Sequence, residues 1–268
     1  MLRSLNDLDG YTLSASDGDL GSVVNFLFDD QQWTIRYLVA DTDRFFDRRR
    51  VLISPVSLRQ ADWSTRRLHV ALTRERIQHS PSVDTDKPVS RQHERDYSRY
   101  YGYPYYWGYT GLWGMGAYPG WLAAGSWHDT AIAHLGEEAD LHLRSAREVR
   151  GYHIQGRDDV IGHVEDFIVD DETWELRYLV IDTSNWWFGK KVLVAPHWAN
   201  LISWEERMVY VDLPRQAIKN SPAWNAGIAV NREYETRLYD YYARPVYWDS
   251  NDRLLRASAL RHVASLPR

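Results

Sequence analysis

Asp29-Asp30-Gln31-Gln32-Trp33-Thr34-Ile35-Arg36-Tyr37-Leu38-Val39-Ala40-Asp41-Thr42 returns later in the chain as Asp170-Asp171-Glu172-Thr173-Trp174-Glu175-Leu176-Arg177-Tyr178-Leu179-Val180-Ile181-Asp182-Thr183. Each copy opens with polar turn formers and runs into a core of strand formers. The two copies lie 141 positions apart (33 to 174), and that register holds without insertion from Ser4/Ser145 to Trp107/Trp248. It passes through Gly21/Gly162, Pro55/Pro196, Trp63/Trp204, Ile77/Ile218 and Ser80-Pro81/Ser221-Pro222. A period this long exceeds a solenoid unit of about 20–50 residues, so the chain is a duplicated domain.

Outward from that strand, each copy reads as short strands with tight connections. Tyr11–Ser16 ends at Asp17-Gly18, a dipeptide suited to hairpin turns; the second copy has Asp158-Asp159 there and needs another turn type. In Gly21–Asp29 a period of two would separate Val23 from Phe26, which predicts a bulge or burial on both faces. Val51-Leu52-Ile53 is a brief apolar strand ended by Pro55. A hairpin centred on Asp62-Trp63-Ser64 returns through Leu68–Leu72, and Thr73 caps a short helix that stops at Ser80-Pro81. Ser4–Gly10 reads as a polar lead-in. Five or six short strands without an intervening amphipathic helix argue against a βαβ fold and for a small antiparallel β-barrel in each copy.

The motifs Asp7-Leu8-Asp9-Gly10-Tyr11, Asp17-Gly18-Asp19-Leu20-Gly21, Phe26–Asp30, Arg36–Val39 with Asp41-Thr42, and Val51–Pro55 resemble the PRC-barrel family. The second copy repeats the pattern and departs from it at Asp158-Asp159, where the glycine is missing. The resemblance implies a mainly β chain of two tandem small antiparallel PRC-type β-barrels, each followed by a short helix and separated by an aromatic, Gly-rich linker. The expected divisions are 1–82 (first barrel), 83–144 (helical appendage and linker), 145–223 (second barrel) and 224–268 (appendage and amphipathic tail). It also implies a binding or assembly role, as an accessory of photosynthetic reaction-centre-type or electron-transport complexes. The alternative it carries is an RNA- or ribosome-associated maturation factor.

Beyond the barrels, Arg91–Tyr101 and Arg232–Tyr242 read as helices leading to the aromatic knots Tyr103-Pro104-Tyr105-Tyr106-Trp107 and Arg244-Pro245-Val246-Tyr247-Trp248. Only the first copy continues into Gly108–Trp127, an uncharged run of Gly, Tyr, Trp and Ala that reads as a flexible, sticky linker. The tail Asn251–Arg268 carries Leu254, Ala257, Leu260 and Val263 at helical spacing.

Reactive chemistry has no motif here. Zero cysteines exclude disulfides and thiolate metal sites, and the histidines, His128 and His134 among them, lack ligand spacing. No phosphate loop or nucleophile elbow occurs, and both copies keep the same aspartates, which suits scaffolding. The reading is therefore non-enzymatic, with no catalytic residue, no cofactor and no metal. A net charge of −5 argues against a nucleic-acid surface. The start of the chain lacks the apolar run of a signal peptide, so a cytoplasmic setting is expected. Candidate contact residues for a protein partner are Phe45, Phe46, Trp186 and Trp187, aromatics that precede basic runs at matched positions, together with Tyr106, Trp107, Tyr247 and Trp248 in the knots. Peripheral membrane contact is a further expectation for the aromatic run, and the gapless duplication predicts pseudo-two-fold pairing of the two barrels within the chain.

Overall fold

The computed structural model describes residues 1–42, 49–81, 89–109, 111–124, 142–183 and 190–248. In the first half, strands β1 (Leu2–Ser4), β2 (Thr12–Ala15), β3 (Gly18–Asp29), β4 (Thr34–Thr42), β5 (Arg50–Ile53), β6 (Leu58–Asp62) and β7 (Arg67–Val70) are joined by α1 (Leu5–Leu8) and followed by α2 (Arg74–Gln78), α3 (Arg91–Tyr101) and α4 (Pro119–Ala124). The second half repeats them as β8 (Leu143–Ser145), α5 (Ala146–Val149), β9 (His153–Gln155), β10 (Val160–Asp170), β11 (Leu176–Asp182), β12 (Lys191–Val194), β13 (Ala199–Ser203), β14 (Met208–Val211) and α6 (Arg215–Asn220). It repeats α3 as α7 (Arg232–Tyr241) and adds β15 (Ala223–Trp224). Among the described residues no helix is long and apolar enough to cross a membrane.

The chain is mainly β, with two sheets ordered β5-β4-β3-β2-β7-β6 and β13-β14-β9-β10-β11-β12-β15. Two expectations are corrected. Neither ladder closes into a barrel: β5 and β6 end the first sheet and are linked through the turn Pro55–Ser57 rather than by a ladder. Nor are the sheets wholly antiparallel, since β2 pairs with β7 and β9 with β14 in parallel. The intervening strands carry the chain around, so no crossover helix is needed.

Local chemistry explains the details. The bulge expected in β3 lies between Val23 and Asn25, and its counterpart in β10 between Val164 and Asp166. Val23 and Phe26 are consequently both buried. Asp17 does not adopt positive φ; only Gly18 does. Asp17 Oδ1 instead accepts from Arg74 N at 2.8 Å, and Asp158 does the same for Arg215 N at 2.7 Å. That capping role needs no glycine, so Asp158-Asp159 closes its turn through Gly156 N and Asp159 O (2.9 Å) with neither aspartate at positive φ. Gly21 and Gly162 are fixed by close approach: a Cβ there would meet the carbonyl oxygens of Asp41 and Asp182 at 2.1 and 1.9 Å.

The lead-in is not a polar loop. Leu5 and Leu8 on α1 are buried, and α1 packs on β10 of the other half. β1 pairs with β10 (Leu2↔Asp170, Arg3↔Val169, Ser4↔Ile168), while β8 pairs with β3 in the equivalent register (Leu143↔Asp29, Arg144↔Phe28, Ser145↔Leu27). The reason lies in strand length. β3 has 12 residues, but β2 has 4 and covers only Gly18–Ser22 of one edge. The far end of that edge would expose unpaired backbone, and the other half's lead-in strand covers it. β10 is served by β9 and β1 in the same way.

Side chains reinforce the exchange. Arg3 bonds Asp171 at 2.6 Å and lies 3.4 Å from the Trp63 ring centre, while Arg144 bonds Asp30 at 2.9 Å and lies 3.9 Å from that of Trp204. Asp9 and Arg150, which occupy the same position in the two copies, pair at 2.8 Å. Where the halves meet, Ile35 N donates to Trp174 O (2.8 Å) and Leu176 N to Trp33 O (2.7 Å). Trp33 and Trp174 hold φ of 51° and 60°, unusual for bulky side chains, and present those carbonyls.

One position differs informatively. Asn25 donates to Ser145 Oγ (2.9 Å) and accepts from Arg147 N (3.1 Å); Asp166 accepts from Ser4 Oγ and from Asn6 N (3.1 Å). Burial pushes the Asp166 carboxyl up from 3.8 to about 6, against the hydrogen bond from Ser4. The folded state thus holds its proton more tightly, and stability present below pH 3.8 is lost as pH rises through about 6. Asp166→Asn, the residue the first half already uses, is expected to raise stability at pH 8 by about 2 kcal/mol and to change nothing at pH 3. Urea melts at the two pH values check this; a variant less stable at pH 8 would refute it.

Candidate functional site

Each half carries a buried polar cluster that fastens its appendage helix to its sheet. α3 starts at Ser90, whose Oγ accepts from His93 N (3.2 Å), and ends at Gly102 with φ 70°. Its Glu94 is buried and accepts from Tyr37 Oη (3.2 Å), Tyr106 Oη (2.7 Å) and Arg91 Nη1 (2.8 Å). α7 repeats this: Glu235 accepts from Tyr178 Oη (2.7 Å) and Tyr247 Oη (2.8 Å) and pairs with Arg232 at 3.0 Å. Burial lifts the Glu94 carboxyl to about 7, although Arg91 and Tyr106 pull it down. Burial also raises the Tyr37 and Tyr106 hydroxyls.

Beside Glu94, the Arg36 guanidinium lies 3.8 Å from the Tyr106 ring centre and 4.9 Å from that of Trp113. It bonds Asp29 (3.2 Å), Gln32 Oε1 (2.6 Å) and the carbonyl of Leu112. Asp29 also accepts from Gln31 N (2.9 Å) and Gln32 N (3.2 Å), so the amides of its own turn hold the aspartate. Arg177 occupies the matching place over Tyr247 (4.1 Å), paired with Asp170 (3.4 Å) and Glu175 (2.7 Å). Glu94 and Asp29 are buried against these partners, while Asp170 and Glu175 keep about one-fifth of their side-chain surface exposed. Such groups position the appendage helix on its sheet.

The segment that occurs only once is not a free linker over its described part. Trp113 is 1% exposed and donates from Nε1 to Thr173 O of the second half at 2.8 Å. Gly111 N bonds Gly114 O and Trp113 N bonds Gly116 O, both at 2.9 Å. A Cβ on Gly116 would meet Trp121 at 2.4 Å, so this glycine serves close packing rather than flexibility. α4 rests on the Pro55–Ser57 turn. From this anchored base Met115, Tyr118 and Trp121 are 56%, 50% and 54% exposed. Of the three, Tyr118 lines a cavity of about 200 Å³ together with Trp63, Trp174, Arg59, Asp171 and Glu172 among others.

Of the residues singled out from sequence, Phe45, Phe46, Trp186 and Trp187 lie outside the described residues, as do His128, His134 and the tail Asn251–Arg268. Tyr106 and Tyr247 turn inward to the buried glutamates. Trp107 and Trp248 are partly buried, 4.5 and 4.0 Å from the guanidinium carbons of Arg91 and Arg232. Among the described residues no group of His, Cys, Asp or Glu is arranged to hold a metal. Sequence reasoning missed Glu94 and Glu235, and with them the exposed trio. The signal was there: Arg91/Arg232, Glu94/Glu235 and Tyr106/Tyr247 all match in the duplicated register.

Residues 142–218 match the family model of the PRC-barrel domain. No curated protein matches the chain.

The two clusters differ in what they hold. Arg36→Met removes the cation from a buried pair and is expected to cost about 3–5 kcal/mol. It should also open the 111–124 segment to proteolysis. Arg177→Met is expected to loosen α7 and leave that segment protected. Limited proteolysis with mass mapping separates the two; equal cleavage of 111–124 in both variants would contradict the assignment.

Proposed function

We propose that this chain is a non-enzymatic binding and assembly module made of two PRC-type units that pair internally about a pseudo-two-fold axis. The match over residues 142–218 supports the second unit. The first is supported by its equivalent strand register and by the reciprocal placement of β1 and β8. A duplicated chain forms internally the interface that single-unit homodimers form between copies. The narrower reading is a cytoplasmic accessory of a photosynthetic or electron-transport assembly; it rests on family resemblance alone.

One observation carries the binding reading. The single-copy segment spends Leu112 and Trp113 on its own anchorage and leaves Met115, Tyr118 and Trp121, all within seven residues of chain, at least half exposed. Aromatic and Met side chains on a rigid base are characteristic anchors for protein partners. A protein fits better than a lipid surface: carboxylates of Asp171 and Glu172 line the adjacent cavity, and the chain's net charge is −5.

A photocrosslinking residue at Trp121 is expected to capture a protein partner in the native cell. The same residue at Leu201, 59% exposed but in the second half, is expected to capture none. Met115→Ser with Tyr118→Ser should abolish the Trp121 adduct. Equal capture from both sites, cosedimentation with lipid vesicles through this patch, or salt-sensitive retention of RNA would overturn the proposal.

A further inference from the structure

The two halves differ at one place where the backbone stays the same and the side chains do not. Beside the end of α7 a cavity of about 550 Å³ is lined by Arg157, Asp212, Leu213, Ala217, Tyr241 and Arg244, among others. The matching positions of the first half are Ser16, Ala71, Leu72, Arg76, Tyr100 and Tyr103. Main-chain geometry is conserved between them. Tyr103 N donates to Ser98 O at 2.9 Å and Arg244 N to Tyr239 O at 3.1 Å. Tyr100 Oη donates to Arg76 O at 2.6 Å and Tyr241 Oη to Ala217 O at 2.8 Å.

In the first half Arg76 fills the space: it donates to Tyr101 O at 2.9 Å and sits 5.6 Å from that ring's centre. Tyr103 stacks on Tyr101 with ring centres 5.6 Å apart. In the second half Ala217 removes the arginine. Trp198 packs against Tyr242 at 5.0 Å, and Arg244 turns towards Asp212. Three charges thereby converge that the first half lacks. Arg157 Nε bonds Asp212 at 2.6 Å, and Arg244 Nη2 lies 3.6 Å from the same carboxylate. Two guanidiniums against one carboxylate leave an excess positive charge. Among the described residues the terminal nitrogens of Arg157 make no hydrogen bond.

We infer that this cleft is a binding site for a small organic anion, its carboxylate or phosphoryl oxygens on Arg157 and Arg244 and its flat apolar body against Tyr241, Leu213 and Ala217. The volume falls in the range of small-molecule sites, roughly 300–1,000 Å³. Guanidinium donors match the planar oxygen pairs of such anions. This site is separate from the aromatic patch on the 111–124 segment and stands or falls independently of it.

Calorimetric titration of the full chain at low ionic strength with benzoate, phenyl phosphate, inorganic phosphate and benzyl alcohol tests the inference. Benzoate or phenyl phosphate is expected to bind, more weakly as salt rises. The tighter of the two identifies the head group. Benzyl alcohol should not bind, and inorganic phosphate should bind less well than phenyl phosphate. Arg157→Gln and Arg244→Gln are each expected to lower affinity about tenfold. Ala217→Arg restores the first half's filling and should abolish binding without lowering the melting temperature. Because its added charge alone would favour an anion, that loss reads as occupation of the cavity. Failure of both organic anions to bind, equal binding of benzyl alcohol or of inorganic phosphate, or full affinity in Ala217→Arg or Arg157→Gln would overturn it.

Discussion

Much of this structure follows from an edge that a short strand cannot cover. β3 and β10 are far longer than the strands β2 and β9 that pair with one side of each. Backbone amides and carbonyls left bare on a flat edge are both costly and prone to pairing with other chains. The molecule meets this by sending the first three-residue strand of each half across to the other. Apolar residues travel with them: Leu5 and Leu8 on α1, Ala146 and Val149 on α5, all buried. Each large side chain of this kind contributes about 1.5–3 kcal/mol on burial. The halves therefore complete one another, and Trp33 and Trp174 accept unusual backbone angles to add a hydrogen bond in each direction.

On that shared frame the copies have diverged in what they present. The buried glutamate with its two tyrosines is common to both, which marks it as part of the unit's architecture. The first half alone adds the glycine- and tryptophan-rich segment, pinned by Arg36 and by Thr173 of its neighbour. The second half alone opens a charged cleft by exchanging Arg76 for Ala217. Duplication left the common frame constrained and each surface free to change, so function is to be sought where the copies differ.

Strands β3 to β7, the bulge, the Thr73 cap and the appendage helices were legible because period, turn chemistry and capping are local. The exchange of β1 and β8 was not, because Leu2-Arg3-Ser4 is too short to show alternation and its partner is set by a distant bare edge. The parallel pairs and the open ladder were hidden for a similar reason: strand order is a tertiary outcome. Gly111, Gly114 and Gly116 suggested a flexible tether by composition. In the fold a Cβ on Gly111 or Gly116 would come within 3 Å of neighbouring groups, which only the packed structure reveals. Glu94 and Glu235 looked like ordinary polar residues on exposed helices, since burial of a carboxylate depends on hydroxyls contributed from elsewhere.

Hydrogen exchange on a chain lacking residues 1–4 tests the reciprocal exchange most directly. If β1 completes the other half's sheet, the Asp171 amide, which donates to Met1 O, loses protection while the Asp30 amide, which donates to His142 O beside β8, keeps its own. Loss of protection confined to the first half, or unchanged protection at Asp171, would contradict the account.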